Sequence, residues 1–138
     1  MKKILIIITM VWGLLLFWHY QNQPLGTRID VDGHVFTVEL AVTPKEQEKG
    51  LGYRDSLPVN AGMLFVYQTA RQYEFWMKGM RFPIDIIWIR DQTVVDISKN
   101  VPVSATRAPS TYSPRESVNK VLEINAGKAD ELGIQIGD

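Results

Sequence analysis

Apolar and polar residues alternate with a period of two over several short segments of this chain, a pattern typical of half-buried β-strands. In residues 35–42 the apolar side is formed by every second residue, namely Phe36, Val38, Leu40 and Val42. A shorter run of the same kind covers residues 28–31, and Asp32-Gly33 between the two runs predicts a type I′ turn. The two runs are therefore predicted to form a β-hairpin.

A short helix is predicted directly after this hairpin. Thr43 can accept a hydrogen bond from the Glu46 amide, while the Glu46 side chain can bond back to Thr43. Pro44 occupies the first helical position, which proline favours. Gly50 or Gly52 is expected to end this helix, and a second short helix is predicted at residues 127–133, closed by its final glycine.

Residues 84–89 are apolar on both sides, as expected for a central strand covered on both faces. Further strands are predicted at 62–67, 72–77, 94–97 and 118–124, with a turn near 69–71 and a long loop at 102–114. The predicted fold is mainly β, in the β-rich α+β class. It is a sandwich or partly closed barrel of about seven short strands with two short helices.

The first twenty residues do not fit this domain. Lys2 and Lys3 precede an apolar run that begins at Ile4, and residues 16–20 are too bulky for a signal-peptide cleavage site. We therefore expect residues 1–20 to be an N-terminal anchor that crosses the inner membrane once through residues 4–20. The domain would then face the periplasm or the cell exterior. Secretion after signal cleavage is the alternative.

Beyond the anchor, residues 21–27 are expected to be a tether and residues 28–138 a single β-rich exported domain. Without Lys2 and Lys3, the 15 basic residues fall to 13 against 15 acidic ones, so the formal charge is −2. With no basic stripe, nucleic-acid binding is not expected.

The composition also argues against metal and thiol chemistry. Cysteine is absent, which excludes disulfides, thiolate catalysis and thiolate metal sites. The two histidines, His19 and His34, are far apart in sequence, so neither a metal site nor a cofactor is expected. Met63, Met77 and Met80 could form a thioether copper site but are interpreted as ordinary core residues.

Several short motifs follow one another in the predicted domain: Leu51-Gly52-Tyr53-Arg54, Gly62-Met63-Leu64-Phe65-Val66, Phe75-Trp76-Met77-Lys78, Pro83-Ile84-Asp85 and Val121-Leu122-Glu123. In order and spacing they resemble the domain of unknown function 192 family over about residues 28 to 138. The resemblance implies a small, β-rich, barrel-like domain, often secreted or anchored in bacteria, with no established activity.

Two departures from that family pattern are visible. Gly79-Met80 stands where the family commonly has Asn-Thr, which is expected to loosen the turn and to change the chemistry of the site. The sequence also stops at Gly137-Asp138, where relatives usually continue into a closing strand. One exposed sheet edge is therefore expected.

The candidate site residues are charged groups near apolar segments, because a buried charge must be paired or functional. Asp85 is interpreted as a buried carboxylate that pairs with Lys78 or Arg54, or that accepts backbone N–H bonds at a turn after Pro83. Its functional alternative is a general base or a ligand acceptor. Arg54 could hold Asp85 or bind a carboxylate ligand.

Lys78 is expected on the same strand face as Trp76, either covering the indole with its stem or offering a cation to an anionic ligand. Glu123 alternates with apolar neighbours and fits a solvated strand face. Alternatively, Glu123 could face Asp85 in a barrel mouth, where the two would form a carboxylate pair suited to acid/base catalysis.

Two functions remain open on this basis. The first is a membrane-tethered, non-enzymatic binding module for a small polar or anionic ligand or a cell-envelope partner. Its site would contain Arg54, Trp76, Lys78, Asp85 and Glu123. The alternative is a small envelope hydrolase that uses Asp85 and Glu123. The binding module is favoured because the sequence shows no recognisable pair of a nucleophile and a general base.

Overall fold

Eight strands and two short helices form in residues 26–104 and 110–138, which the computed structural model describes. The strands are β1 (Thr27–Val31), β2 (His34–Ala41), β3 (Ala61–Arg71), β4 (Phe75–Trp76), β5 (Ile84–Arg90), β6 (Thr93–Val101), β7 (Thr111–Tyr112) and β8 (Val118–Asn125). The helices are α1 (Pro44–Lys49) and α2 (Lys128–Leu132). The predicted fold class, a β-rich sandwich or partly closed barrel with two short helices, is confirmed.

Six of the strands form one sheet in the order β1-β2-β3-β8-β5-β6, and β4 and β7 pair in a separate ladder. The sheet is not closed, since β1 and β6 lie at opposite ends of this order. Strands β2 and β3 are parallel and are connected through α1, whereas the other pairs are antiparallel. Strands β8 and β5 therefore lie in the middle of the sheet.

The central strands of the sheet are buried on both faces. Successive side chains of a strand point to opposite faces. The central strands therefore contribute side chains to two apolar cores, one on each face of the sheet. One core contains Phe65, Phe75, Ile86, Trp88 and Val121. The other contains Phe36, Leu64, Ile87, Leu122 and Ile124. The prediction of a central strand over residues 84–89 is confirmed, because β5 lies between β8 and β6 and residues 84–89 are all buried.

The predicted turns and caps also form. Asp32 and Gly33 both have positive φ, at 50° and 78°, as a type I′ hairpin requires. The capping box between Thr43 and Glu46 has both of its hydrogen bonds, and the helix ends at Gly50. These features depend on residues close together in the chain, which explains why the sequence predicts them well.

The region around β4 differs from the sequence prediction. Strand β3 continues to Arg71, where it still pairs with Val118 of β8, so the predicted turn at 69–71 is wrong. The predicted strand at 72–77 is reduced to the two residues of β4, which pair with β7 inside the predicted loop. Gln72 bonds this region to the carbonyls of residues 114 and 115, at 3.0 Å each.

Part of the sheet edge expected to be exposed is covered by the last residues of the sequence. The Val94 amide donates to the Asp138 carbonyl and the Gly137 amide donates to the Val94 carbonyl, both at 2.8 Å. The outer edge of β6 is therefore bonded at this point. The predicted anchor at 1–20 lies outside the described residues. Within the described ranges, no helix has the length and apolar character needed to cross a membrane.

Candidate functional site

Asp85 is completely buried on β5 and is bonded to backbone amides. Its Oδ1 accepts the Asn100 N–H at 2.7 Å and its Oδ2 accepts the Ala129 N–H at 2.8 Å. Ala129 lies in the first turn of α2, whose N-cap Gly127 offers no side-chain cap. Asp85 therefore caps this helix from a distant strand and places negative charge at its N-terminal end.

The predicted ion pair between Asp85 and Arg54 or Lys78 is wrong. Arg54 instead forms a two-point contact with Glu39, at 2.5 Å and 2.8 Å, and this contact lowers the pKa of Glu39. Lys78 lies in the turn after β4 and not on the strand face that was predicted. It is exposed and places its Nζ 5.1 Å from the centre of the Trp76 ring. Within residues 26–104 and 110–138, no ion pair of Asp85 is found. The alternative of backbone N–H bonds to Asp85 is correct, although the donors are Asn100 and Ala129.

The predicted carboxylate pair of Asp85 and Glu123 is also wrong. Asp85 stands opposite Ile124 in the register between β5 and β8, whereas Glu123 stands opposite Ile86. Directly opposed residues share a face of the sheet, and neighbouring residues alternate between faces. The two carboxyl groups therefore lie on opposite faces of the sheet and cannot share a cleft.

Glu123 is buried, with 5% of its surface exposed, rather than lying on a solvated strand face. Its Oε2 has no hydrogen-bond partner in the described part of the chain. The segment after α1 passes over it, since a Cβ added to Gly50 would lie 3.9 Å from Oε2 and 3.2 Å from the Phe65 ring. That covering segment is the reason why the alternating pattern mispredicts the exposure of Glu123.

Burial raises the pKa of Glu123 to about 8, while the positive charge of Arg54 acts in the opposite direction. At neutral pH this carboxyl group is therefore mostly protonated, and it can both donate and accept a hydrogen bond. Burial also raises the pKa of Tyr67, and the charges of Tyr73 and Glu123 add to that effect. Tyr67 and Glu123 are thus two neutral, hydrogen-bonding groups.

Both groups line one cavity of about 60 Å³, which we name the Glu123 pocket. Its walls come from the C-terminal end of α1, the following Gly50-Leu51-Gly52 segment, and residues 74–78 with β4. The mouth is bordered by Trp76, which is 44% exposed, and by Lys78. A second cavity of about 240 Å³, the outer groove, is lined by Lys45, Glu48, Lys49, Tyr53, Trp76 and Lys78.

The Glu123 pocket brings together three of the five predicted site residues, namely Trp76, Lys78 and Glu123. Arg54 influences Glu123 only through its charge, and Asp85 belongs to the other face. The sequence analysis missed Tyr67 as a pocket residue and Tyr53 as a groove residue. Tyr67 shares a strand face with Phe65 by the period of two, and this signal could have found it. Nothing local indicated Tyr53.

The geometry of Asp85 predicts how it responds to substitution. Asp85→Asn should lower the free energy of unfolding by about 1.5 to 3 kcal/mol, because it weakens bonds from two backbone amides to a charged acceptor. In chemical denaturation, Arg54→Leu should act additively with Asp85→Asn. The same Arg54→Leu should couple with Glu39→Leu by about 0.2 to 1 kcal/mol, as partly exposed pairs do. A large Arg54–Asp85 coupling would contradict this arrangement.

Glu123 predicts a specific pH dependence of stability. Its pKa is about 8 when folded against 4.5 for the ordinary group, so the folded protein binds more protons between these values. This contribution to stability is complete below pH 4.5 and is lost as the pH rises through 8. The slope should approach about 1.4 kcal/mol per pH unit in that window. Glu123→Gln should abolish it, whereas Glu131→Gln on the exposed side of α2 should not. Equal slopes in all three proteins would refute the buried-acid assignment.

Two solved structures are similar to this chain. One, from Novosphingobium aromaticivorans DSM 12444, is described as a protein of unknown function. It has 38% sequence identity and a TM-score of 0.71, over 76% of this chain and 74% of that one. The other, from Sinorhizobium meliloti 1021, is described as a "putative transcription regulator". It has 39% identity and a TM-score of 0.72, over 80% of this chain and 87% of that one.

The comparison with functionally curated proteins yields no significant match. A family profile does match, over residues 27–138. This range covers the whole sheet and every residue of the Glu123 pocket. By that match the chain belongs to the domain of unknown function 192 family, which is described as an uncharacterized ACR.

Proposed function

We propose that the domain is a non-enzymatic binding module that takes a small polar ligand in the Glu123 pocket. The observation that carries this proposal is the Glu123 Oε2, a buried acceptor that has no partner in the described residues and belongs to a residue that lines a cavity. A buried polar atom without a partner costs about 1 to 3 kcal/mol. A ligand that bonds to Glu123 removes this cost. The removal of the cost makes the free energy of binding more favourable.

The residues at the mouth support the same proposal. Trp76 presents a large exposed aromatic surface, and such surfaces are common in binding sites because they bury much area with few rotatable bonds. Lys78 lies over this ring and provides a cation for a polar or anionic ligand.

The alternative is a small envelope hydrolase in which Glu123 acts as a general acid. The specific observation in its favour is the raised pKa of Glu123, because acids in catalytic sites are tuned in this direction. It would need a second carboxylate on the same face of the sheet. Glu74 and Glu48 line the same pocket but are exposed. Release of a hydrolysis product, lost in Glu123→Gln, would favour this alternative.

Nucleic-acid binding is not part of the proposal, although the Sinorhizobium meliloti relative is described as a "putative transcription regulator". The two helices of the described residues have six and five residues, too few for a helix that reads the major groove. Outside the predicted anchor the formal charge is −2. Neither property supports binding to a polyanion.

The binding module is proposed to be exported and held at the inner membrane by residues 1–20. The whole protein should then be found in the membrane fraction, with the domain accessible to a protease added to the periplasmic side. Replacement of residues 1–20 by a cleavable signal should release the domain. A mature N-terminus near Gln21 in the natural protein would contradict the anchor and support the secreted alternative.

Binding at the pocket can be tested with Glu123→Met, which keeps the side-chain length and removes the hydrogen-bonding group. Ligands from a panel of small polar compounds should raise the thermal midpoint of the natural chain by mass action. Glu123→Met should lose this response by tenfold or more in affinity. It should nevertheless be more stable than the natural chain without ligand, since it removes an unpartnered buried acid.

This opposite change of stability and affinity excludes misfolding as the reason for lost binding. Glu131→Gln is the matched control, because Glu131 is an exposed glutamate on α2 and lies outside the pocket. It should keep the ligand response of the natural chain. Unchanged affinity in Glu123→Met would refute the proposed site.

A further inference from the structure

The Glu123 pocket and the outer groove meet at shared residues. Glu48, Lys49, Trp76 and Lys78 line both cavities. The Glu123 pocket, at about 60 Å³, holds a few water-sized volumes of about 10 to 15 Å³ each. It can therefore receive a polar substituent but not a whole ring. The outer groove, at about 240 Å³, has the space for the rest of a larger ligand.

The chemistry of the two cavities differs. The Glu123 pocket contains the neutral, hydrogen-bonding groups of Glu123 and Tyr67, which suit a hydroxyl or amide substituent. Its charged lining residues balance in formal charge, namely Lys49 and Lys78 against Glu48 and Glu74. In the outer groove, the lining residues that carry charge are Lys45, Lys49, Lys78 and Glu48, an excess of positive charge. A ligand that matches both cavities has a neutral polar group at one end and a negative charge further along.

Two exposed aromatic rings border this path. Trp76 stands where the cavities meet, and Tyr53, which is 62% exposed, lines the outer groove. Exposed rings beside hydrogen-bonding groups fit the apolar C–H faces and the polar edges of pyranose sugars. A peptide would instead be expected to pair along a strand edge or to fill apolar side-chain pockets. The aromatic rings therefore favour a sugar over a peptide.

The position of Tyr53 depends on Gly79. The Tyr53 amide donates to the Gly79 carbonyl at 2.7 Å, and Tyr53 has a positive φ of 67°. A Cβ added to Gly79 would lie 2.8 Å from the Tyr53 ring, so the ring rests directly on a backbone without a side chain. Gly79 itself has a φ of 71°, a conformation that asparagine also tolerates. Gly79→Asn would thus displace the ring and leave the backbone allowed.

We propose that the Glu123 pocket and the outer groove are adjoining subsites for an acidic oligosaccharide, with Trp76 and Tyr53 as ring platforms. A hydroxyl or acetamido substituent of one sugar enters the Glu123 pocket. The carboxylate of the next sugar lies beside Lys45, Lys49 and Lys78. This inference rests on the proposed function, since it names the ligand class of the same site, and it adds a second subsite.

The test uses the full chain in a detergent without a sugar headgroup and measures affinity by calorimetry. Three probes separate the two subsites: N-acetylglucosamine, its neutral β-1,4-linked dimer, and the disaccharide of N-acetylglucosamine and N-acetylmuramic acid, which carries one carboxylate. The acidic disaccharide should bind at least tenfold more tightly than the neutral dimer at low salt. The difference should shrink in 0.3 M salt, where exposed charges are screened.

Variants assign the effect to the groove. Lys45→Met should reduce the preference for the acidic disaccharide over the neutral dimer several-fold. Its matched control is Lys99→Met, because Lys99 pairs with Asp130 of α2, away from both cavities. Gly79→Asn and Tyr53→Asn should each lower the affinity for the disaccharides several-fold. Tyr53→Phe should bind them as tightly as the natural chain, since it keeps the ring.

The outcomes separate this inference from the proposed function. Equal affinity for the acidic and neutral dimers, or no effect of Lys45→Met, would overturn the acidic-oligosaccharide subsites. Equally tight binding of a tetra-aspartate peptide would also overturn them. In these cases, loss of monosaccharide binding in Glu123→Met would still support the Glu123 pocket as a ligand site. If Glu123→Met binds every probe as the natural chain does, both the inference and the proposed function fail.

Discussion

Burial of the central strands on both faces of the sheet is the constraint on which the rest of this structure depends. Strands β5 and β8 lie in the middle of the sheet, and apolar side chains cover them on either side. A polar residue in the buried part of these strands therefore enters one of two cores, where it needs a partner or carries a cost. Asp85 and Glu123 are such residues, and their different environments define their different roles.

Asp85 and Glu123 are both buried, but they differ in whether the carboxyl group finds hydrogen-bond partners. Asp85 accepts two backbone amides and joins β5 to β6 and to the start of α2, so its charge contributes to the fold. Glu123 finds no partner for its Oε2 within the described residues, and burial raises its pKa until the group is mostly neutral at pH 7. A buried oxygen without a hydrogen-bond partner carries an energetic cost. This cost is the basis of the proposal that a ligand binds at Glu123.

The segment after α1 covers this buried acid and forms part of the Glu123 pocket. Its close approach to the sheet brings the backbone at Gly50 near Phe65 and Glu123, and this forms one wall of the pocket. The same segment carries Arg54, which is bonded to Glu39. The positive charge of Arg54 partly offsets the rise in the pKa of Glu123. The segment also carries Tyr53 to the outer groove. One short connection therefore contributes lining residues to both cavities.

The sequence by itself determined the features that depend on near neighbours in the chain. The type I′ hairpin, the capping box of α1 and the central strand at 84–89 all follow from turn chemistry and from the pattern of apolar residues. The motifs around Arg54, Trp76 and Glu123 also identified the family. These signals are local, so they can be interpreted without knowledge of the fold.

Only the tertiary structure decided which distant groups meet. The register between β5 and β8 placed Asp85 and Glu123 on opposite faces, and one residue of slip would have reversed that result. The partners of Asp85 and Arg54 come from segments 15 to 44 residues away. The burial of Glu123 depends on a loop that crosses above it. A periodic pattern assigns each side chain to one face of its strand. The packing of distant segments determines what that face contacts.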